Sequence, residues 1–112
     1  VTDTARVPAH TIEGSGRNQR EVWKFDLRPA FVGDLTIEMP LYAKVLLVDM
    51  QGKVPRMWCE VDPQDERVER HFRIFGTGHH IPRGPIWCGS FLMDDGALVW
   101  HLYETTKEAD PA

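Results

Sequence analysis

The densest group of chemically capable residues is Gly76-Thr77-Gly78-His79-His80, with Arg73 just before it and Arg83 just after. Alternating glycines let consecutive backbone N–H groups turn inward as an anion nest. Thr77 adds a hydroxyl, and the imidazoles and guanidiniums add donors and positive charge. That chemistry suits a phosphate or carboxylate, so Arg73, Gly76, Thr77, Gly78, His79, His80 and Arg83 form the candidate ligand site. The competing reading is a glycine-rich connection that satisfies its own backbone. The P-loop spacing GxxxxGK[ST] is absent, and no strand-to-helix junction follows.

Four histidines, His71, His79, His80 and His101, are able to approach a metal from different strands. Neither CxxC nor HExxH occurs, so no metal centre and no cofactor is expected. Ser90, Cys59 and Cys88 are the candidate nucleophiles, and His101 comes near Ser90 if the strands flanking Asp94-Asp95-Gly96 pair. No nucleophile elbow supports this. No constellation assigns a nucleophile, a base and a charge stabiliser together, so the chain is expected not to be an enzyme. Both cysteines sit in strand-like runs and read as reduced, buried hydrophobes, with a Cys59–Cys88 disulfide as the alternative. Of Trp23, Trp58, Trp87 and Trp100, most should be core, with one or two at an edge to anchor a partner. Alternation places Arg56, Trp58 and Glu60 on one face and Met57, Cys59 and Val61 on the other. Arg56, Trp58 and Glu60, with His71, form the candidate partner surface.

The elements that must position these residues are strands. Trp23, Phe25 and Leu27 alternate with Lys24 and Asp26, the period of a half-buried strand, and Arg28-Pro29 ends the run. Residues 35–39 alternate again up to Pro40. The near-continuous apolar run 43–50 reads as a central strand covered on both faces. Gln51-Gly52-Lys53 supplies a hairpin turn into 54–61, and the acidic stretch 62–66 is a turn. In 67–75, Val68, Phe72 and Ile74 point one way with Arg70 among them, while Arg67, Glu69, His71 and Arg73 point the other. Residues 85–93 are a strand with a bulge or close approach at Gly89, Asp94-Asp95-Gly96 is a second hairpin, and 97–104 closes the fold. A short helical turn fits 29–32 or 63–67. About seven strands joined by turns make an all-β fold, a small antiparallel β-sandwich or partly open barrel. Residues 1–20 read as a flexible N-terminal arm, 21–104 as one domain and 105–112 as a polar tail.

Composition narrows the function classes. A formal charge of -4 over 112 residues lacks the concentrated basic face of a general nucleic-acid binder. No apolar run reaches the roughly 18 residues that span a bilayer. The first residues lack the basic start and apolar block of a signal peptide, so a soluble, intracellular protein is expected.

The order of motifs resembles a family of small uncharacterised bacteriophage and prophage proteins. The resemblance rests on Trp23-Lys24-Phe25, Ala43-Lys44-Val45-Leu46, the Gly76-Thr77-Gly78-His79 loop, Gly89-Ser90-Phe91 and the closing Val99-Trp100-His101-Leu102-Tyr103-Glu104. It implies phage origin, host-cytoplasmic location and no particular mechanism. The expected function is a non-enzymatic accessory protein, a homo-oligomeric binding module that inhibits or modulates a host protein, complex or defence system. The alternatives are a sponge for a small phosphate-containing ligand such as a nucleotide signal, held by the Gly76–Arg83 loop, and a virion structural component.

Overall fold

A computed structural model describes residues 6–7 and 19–105. Its strands are β1 (Arg6–Val7), β2 (Glu21–Asp26), β3 (Leu35–Pro40), β4 (Lys44–Gln51), β5 (Val54–Val61), β6 (Arg67–Gly76), β7 (Ile86–Met93) and β8 (Leu98–Thr105). They form two antiparallel sheets, ordered β1-β2-β5-β4 and β3-β6-β8-β7. The sheets pack face to face and do not close into a barrel, so the all-β expectation resolves to the sandwich. The expected arm and tail lie largely outside the described residues; of the arm, the two-residue β1 pairs with Val22 and Trp23.

Period-two alternation explains the core. Met57, Cys59 and Val61 of β5 face Met39 of β3, Phe72 and Ile74 of β6, Phe91 of β7 and Leu102 of β8 across one apolar layer. Between β2 and β3, a single 3-10 turn at Arg28–Phe31 buries Ala30 beside Leu27. Its proline sits near the start, where a missing N–H costs nothing. The stretch 63–67 makes a turn and no helix.

The run 43–50 departs from its reading as a doubly covered central strand. β4 is the last strand of its sheet, and Leu46 and Leu47 are about half exposed, at 49% and 50%. The register jumps between Val45 and Leu47, so Leu46 is an extra residue. A bulge of this kind breaks the alternation, leaving Val45 and Val48 inward and the leucines outward. An apolar run interrupted by a bulge is indistinguishable in sequence from one buried on both sides.

Gly89 meets its expectation twice. The β7–β8 register shifts between Trp87 and Gly89, and a Cβ on Gly89 would lie 2.7 Å from Val48 Cγ2. The absence of a side chain there lets the inward Val48 side chain of β4 pack closely onto β7. At the β7–β8 turn, Asp94, Asp95 and Gly96 all take positive φ (60°, 56° and 86°), a conformation that Asp tolerates and Gly prefers.

Arg70 is the charged residue set among the inward side chains of β6. Its Nε and Nη2 donate to Glu104 Oε2 and Oε1 of β8 at 2.8 and 2.9 Å, and its Nη1 donates to the Ala43 carbonyl at 2.7 Å. The pair is mostly buried, and the carboxylate hydrogen bonds push the guanidinium pKa above its ordinary value. Removing one partner of such a pair strands the other, so Glu104→Leu is expected to lower stability by about 2–4 kcal/mol in urea denaturation. The double variant Arg70→Met with Glu104→Leu should recover most of that loss. Equal losses in the single and double variants would mean that losing the guanidinium's contact with Ala43 cancels the relief of the stranded charge.

Candidate functional site

The β6–β7 connection starts as a closed turn. His79 N donates to the Gly76 carbonyl at 3.0 Å, and Gly76 N donates to His79 Nδ1 at 3.0 Å. Gly78 takes φ +90° in the middle of this turn. A Cβ on Gly76 would stand 2.9 Å from both His79 Cε1 and Trp100 Cζ3, so only glycine lets the imidazole fold back this closely. Two of the amides expected to cradle an anion are therefore spent within the loop.

The side chains of the candidate ligand site divide into three places. Arg73 (from β6), His79 and His80 line a cleft of about 300 Å³ together with Phe31, Val32 and Gly33 of the turn between β2 and β3. Gly76, Thr77 and His79 line a second cleft of about 310 Å³ with Leu98 and Trp100 of β8. The His79 ring stands between the two, edge-on to Trp100 at 6.2 Å. Arg83 is exposed and lines neither cleft. Phe31, Val32 and Asp34 join the site from a distant stretch of chain, brought there by the pairing of β3 with β6 and by the packing of Phe31 on Phe91 and Trp100. Asp34 Oδ1 lies 3.0 Å from Arg73 Nε, an ion pair without hydrogen-bond alignment.

Thr77 turns away from the first cleft into a relay on the outer face of the second sheet. Its hydroxyl donates to the Val99 carbonyl at 3.1 Å, and its oxygen lies 2.9 Å from His101 Nε2. One hydroxyl hydrogen cannot serve both, so Thr77 accepts from Nε2–H and the neutral ring carries its proton there. His101 Nδ1 then accepts from Ser90 Oγ at 2.8 Å, and Ser90 Oγ in turn accepts the Trp87 indole N–H at 3.0 Å. The strands flanking Asp94-Asp95-Gly96 thus pair with Ser90 opposite His101. The contact polarises the hydroxyl, but the indole N–H on the same oxygen withdraws electron density from it. Cys59 and Cys88 are free thiols, and burial pushes their pKa values up to about 12 and about 11, away from thiolate chemistry.

The candidate partner surface also divides. Arg56, Trp58 and Glu60 share the outer face of the first sheet, where Trp58 is half-buried between Lys24 and Leu47. His71 lies on the outer face of the other sheet, bonded to Thr36 Oγ1 at 2.9 Å. The most exposed tryptophan is Trp87, at 59%. The signal in the sequence is that 85–93 contains no charged residue.

The relay makes a measurable claim. Thr77→Val removes an acceptor and a donor together and is expected to lower stability by about 1 kcal/mol in urea denaturation, while Thr77→Ser keeps most of it. Equal stability of all three proteins would mean that the relay contributes nothing.

Among the described residues, no three His, Cys, Asp or Glu side chains gather as a metal-ligand set. No curated protein and no solved structure matches the chain. A family model described as a domain of unknown function, DUF7352, matches residues 18–112, which takes in all of β2 to β8. The chain belongs to the DUF7352 family.

Proposed function

We propose that the chain is a non-catalytic protein-binding module and that β7 is its docking edge. The observation that carries this reading is an open edge strand without charge: β7 ends its sheet, holds no Asp, Glu, Lys, Arg or Pro, and exposes Ile86 (69%), Trp87 (59%) and Leu92 (56%). Edge strands are ordinarily guarded by charge, proline or a covering element, because their free N–H and C=O groups template another strand. β4 has such guards, with Lys44, Asp49 and its bulge. β7 has only its bulge at Gly89.

The occupant that fits is an extended segment of a partner protein, apolar at its centre, adding to the sheet beside β7. A charged centre would lose its hydration with no opposite charge on β7 to receive it. The Trp87 N–H is already held by Ser90, so the ring is pre-positioned and little side-chain entropy is lost on docking. The resemblance to phage-encoded proteins supports a host protein in the host cytoplasm as that partner.

A second reading has its own observation. Arg83 precedes β7 and Asp94-Asp95 follow it, all three exposed. Two β7 strands paired antiparallel around a two-fold axis bring each Arg83 towards the other copy's Asp94-Asp95, which supports a homodimer on the same edge.

A photo-crosslinker at position 92 and sedimentation of the purified chain separate the two. A monomer whose crosslink maps to an extended segment of an identified host protein, at least tenfold weaker with Trp87→Lys, is the expected outcome. A dimer that Trp87→Lys dissociates selects the second reading. Assembly and crosslinking that ignore Trp87→Lys and Ile86→Lys would rule out the edge altogether.

A further inference from the structure

The geometry points to a second, chemically different site: we propose that the cleft between the Arg28–Phe31 turn and the His79-His80 loop binds a small ligand bearing an oxyanion, with Arg73 as its charged anchor. None of the residues that line this cleft belongs to β7.

The donors are real and under-used. Arg73, His79 and His80 reach one cleft of about 300 Å³ from a strand and from the loop that follows it. Arg73 Nε is buried and has no hydrogen bond, although Asp34 Oδ1 stands 3.0 Å away as an ion-pair partner. A guanidinium has five N–H donors in a planar fork matched to carboxylate and phosphate oxygens, and Asp34 is the one ionic partner Arg73 has among the described residues. His79 is oriented by its own loop. Its Nδ1 accepts the Gly76 N–H, so the neutral ring carries its proton on Nε2 as a donor.

The opposite wall is apolar. Phe31 is fixed edge-on against Phe91 and Trp100, at centroid distances of 6.3 and 5.1 Å, and Val32 is 90% exposed at the rim. A cleft of this volume is at the lower end of small-molecule sites, which run from about 300 to 1,000 Å³. The ligand class is therefore an organic phosphate or carboxylate no larger than a mononucleotide, its charge on Arg73 and its apolar part against Phe31 and Val32. Asp34 competes for the guanidinium: it neutralises Arg73 when the cleft is empty, and the arriving anion must share or displace it.

That competition gives the test a sign which a purely structural role cannot reproduce. The full chain is titrated to millimolar concentrations with AMP, with benzoate and with inorganic phosphate, while the His79 and His80 ring signals are followed by NMR. Saturable shifts with AMP or benzoate are expected, and AMP tighter than benzoate marks phosphate as the preferred oxyanion. Arg73→Gln is expected to weaken binding about tenfold or more, His80→Ala to weaken it less, and Asp34→Asn to tighten it. Asp34 and His80 are exposed and Arg73 is partly exposed, and none of the three belongs to the apolar core, so these variants keep the core intact. No saturable shift with any probe overturns the proposal. So does binding that ignores Arg73→Gln, or a loss with both Arg73→Gln and Asp34→Asn. Phosphate binding as tightly as AMP overturns the assignment of Phe31 and Val32 as a recognition wall.

Discussion

Arg70 occupies a position that alternation reserves for an apolar side chain, and the rest of the sandwich is keyed to its satisfaction. Its fork meets both oxygens of Glu104 from β8, and its remaining nitrogen meets the Ala43 carbonyl that leads into β4 of the other sheet. The side chain also covers the Phe72 ring, 5.9 Å from its centroid. A one-residue slip of β6 on β8 would turn Arg70 to the outer face and leave Glu104 without its partner near Cys59 and Cys88. The apolar layer alone penalises such a slip, and the ion pair makes that penalty steep. The β6–β8 register also sets Gly76 opposite Trp100 and Arg73 opposite Tyr103. The place of the loop and of the cleft beside it thus follows from a contact some distance along the strand.

The second constraint is the near-contact of β4 with β7. Gly89 carries no side chain where Val48 arrives, and each strand carries a bulge close to the crossing. Bulges bend and twist a strand, and here both bends lie where the two sheets meet at an edge. The exposed leucines of β4 and the exposed Ile86, Trp87 and Leu92 of β7 thus belong to strands that pack on each other while each ends its own sheet. The packing that joins the sheets and the apolar character of the edges share the same local irregularities.

Much of this was readable from residue patterns, and the misses have identifiable physical causes. Strict alternation in 54–61 and 67–75 determines which side chains go inward, and the structure keeps Met57, Cys59, Val61, Phe72 and Ile74 there. The turn at Asp94-Asp95-Gly96 and the irregularity at Gly89 have local signatures, because they depend on which residues tolerate positive φ or a missing Cβ. Leu46 and Leu47 defeated the same logic, since hydrophobicity does not register a bulge. Trp58 and Trp87 look equivalent in sequence, and only the sheet order separates them: β5 lies inside its sheet while β7 ends one. Phe31, Val32 and Asp34 had no local signal at all, because their nearness to Arg73 comes from β3 pairing with β6 across more than thirty residues of chain.

The Gly-Thr-Gly-His-His stretch illustrates why a motif and a site need not coincide. Glycine alternation suggests amides turned toward an anion, yet here the Gly76 N–H and the His79 N–H close the turn on itself. The glycines act at one remove. They let the His79 imidazole pack against the backbone and Trp100, and so fix a ring that lines both clefts. A self-satisfied turn is also stiffer than an open nest, which lowers the entropy that any ligand must overcome on arrival. The two surfaces on this sandwich then ask for opposite chemistry: β7 suits apolar strand pairing because it carries no charge, and the cleft suits an anion because Arg73 does. Nine residues of loop and turn, 77–85, lie between the end of β6 and the start of β7. In the sheet, β8 lies between β6 and β7 and keeps the Arg73 guanidinium off the edge, where a neighbouring charge would spoil a strand-pairing surface.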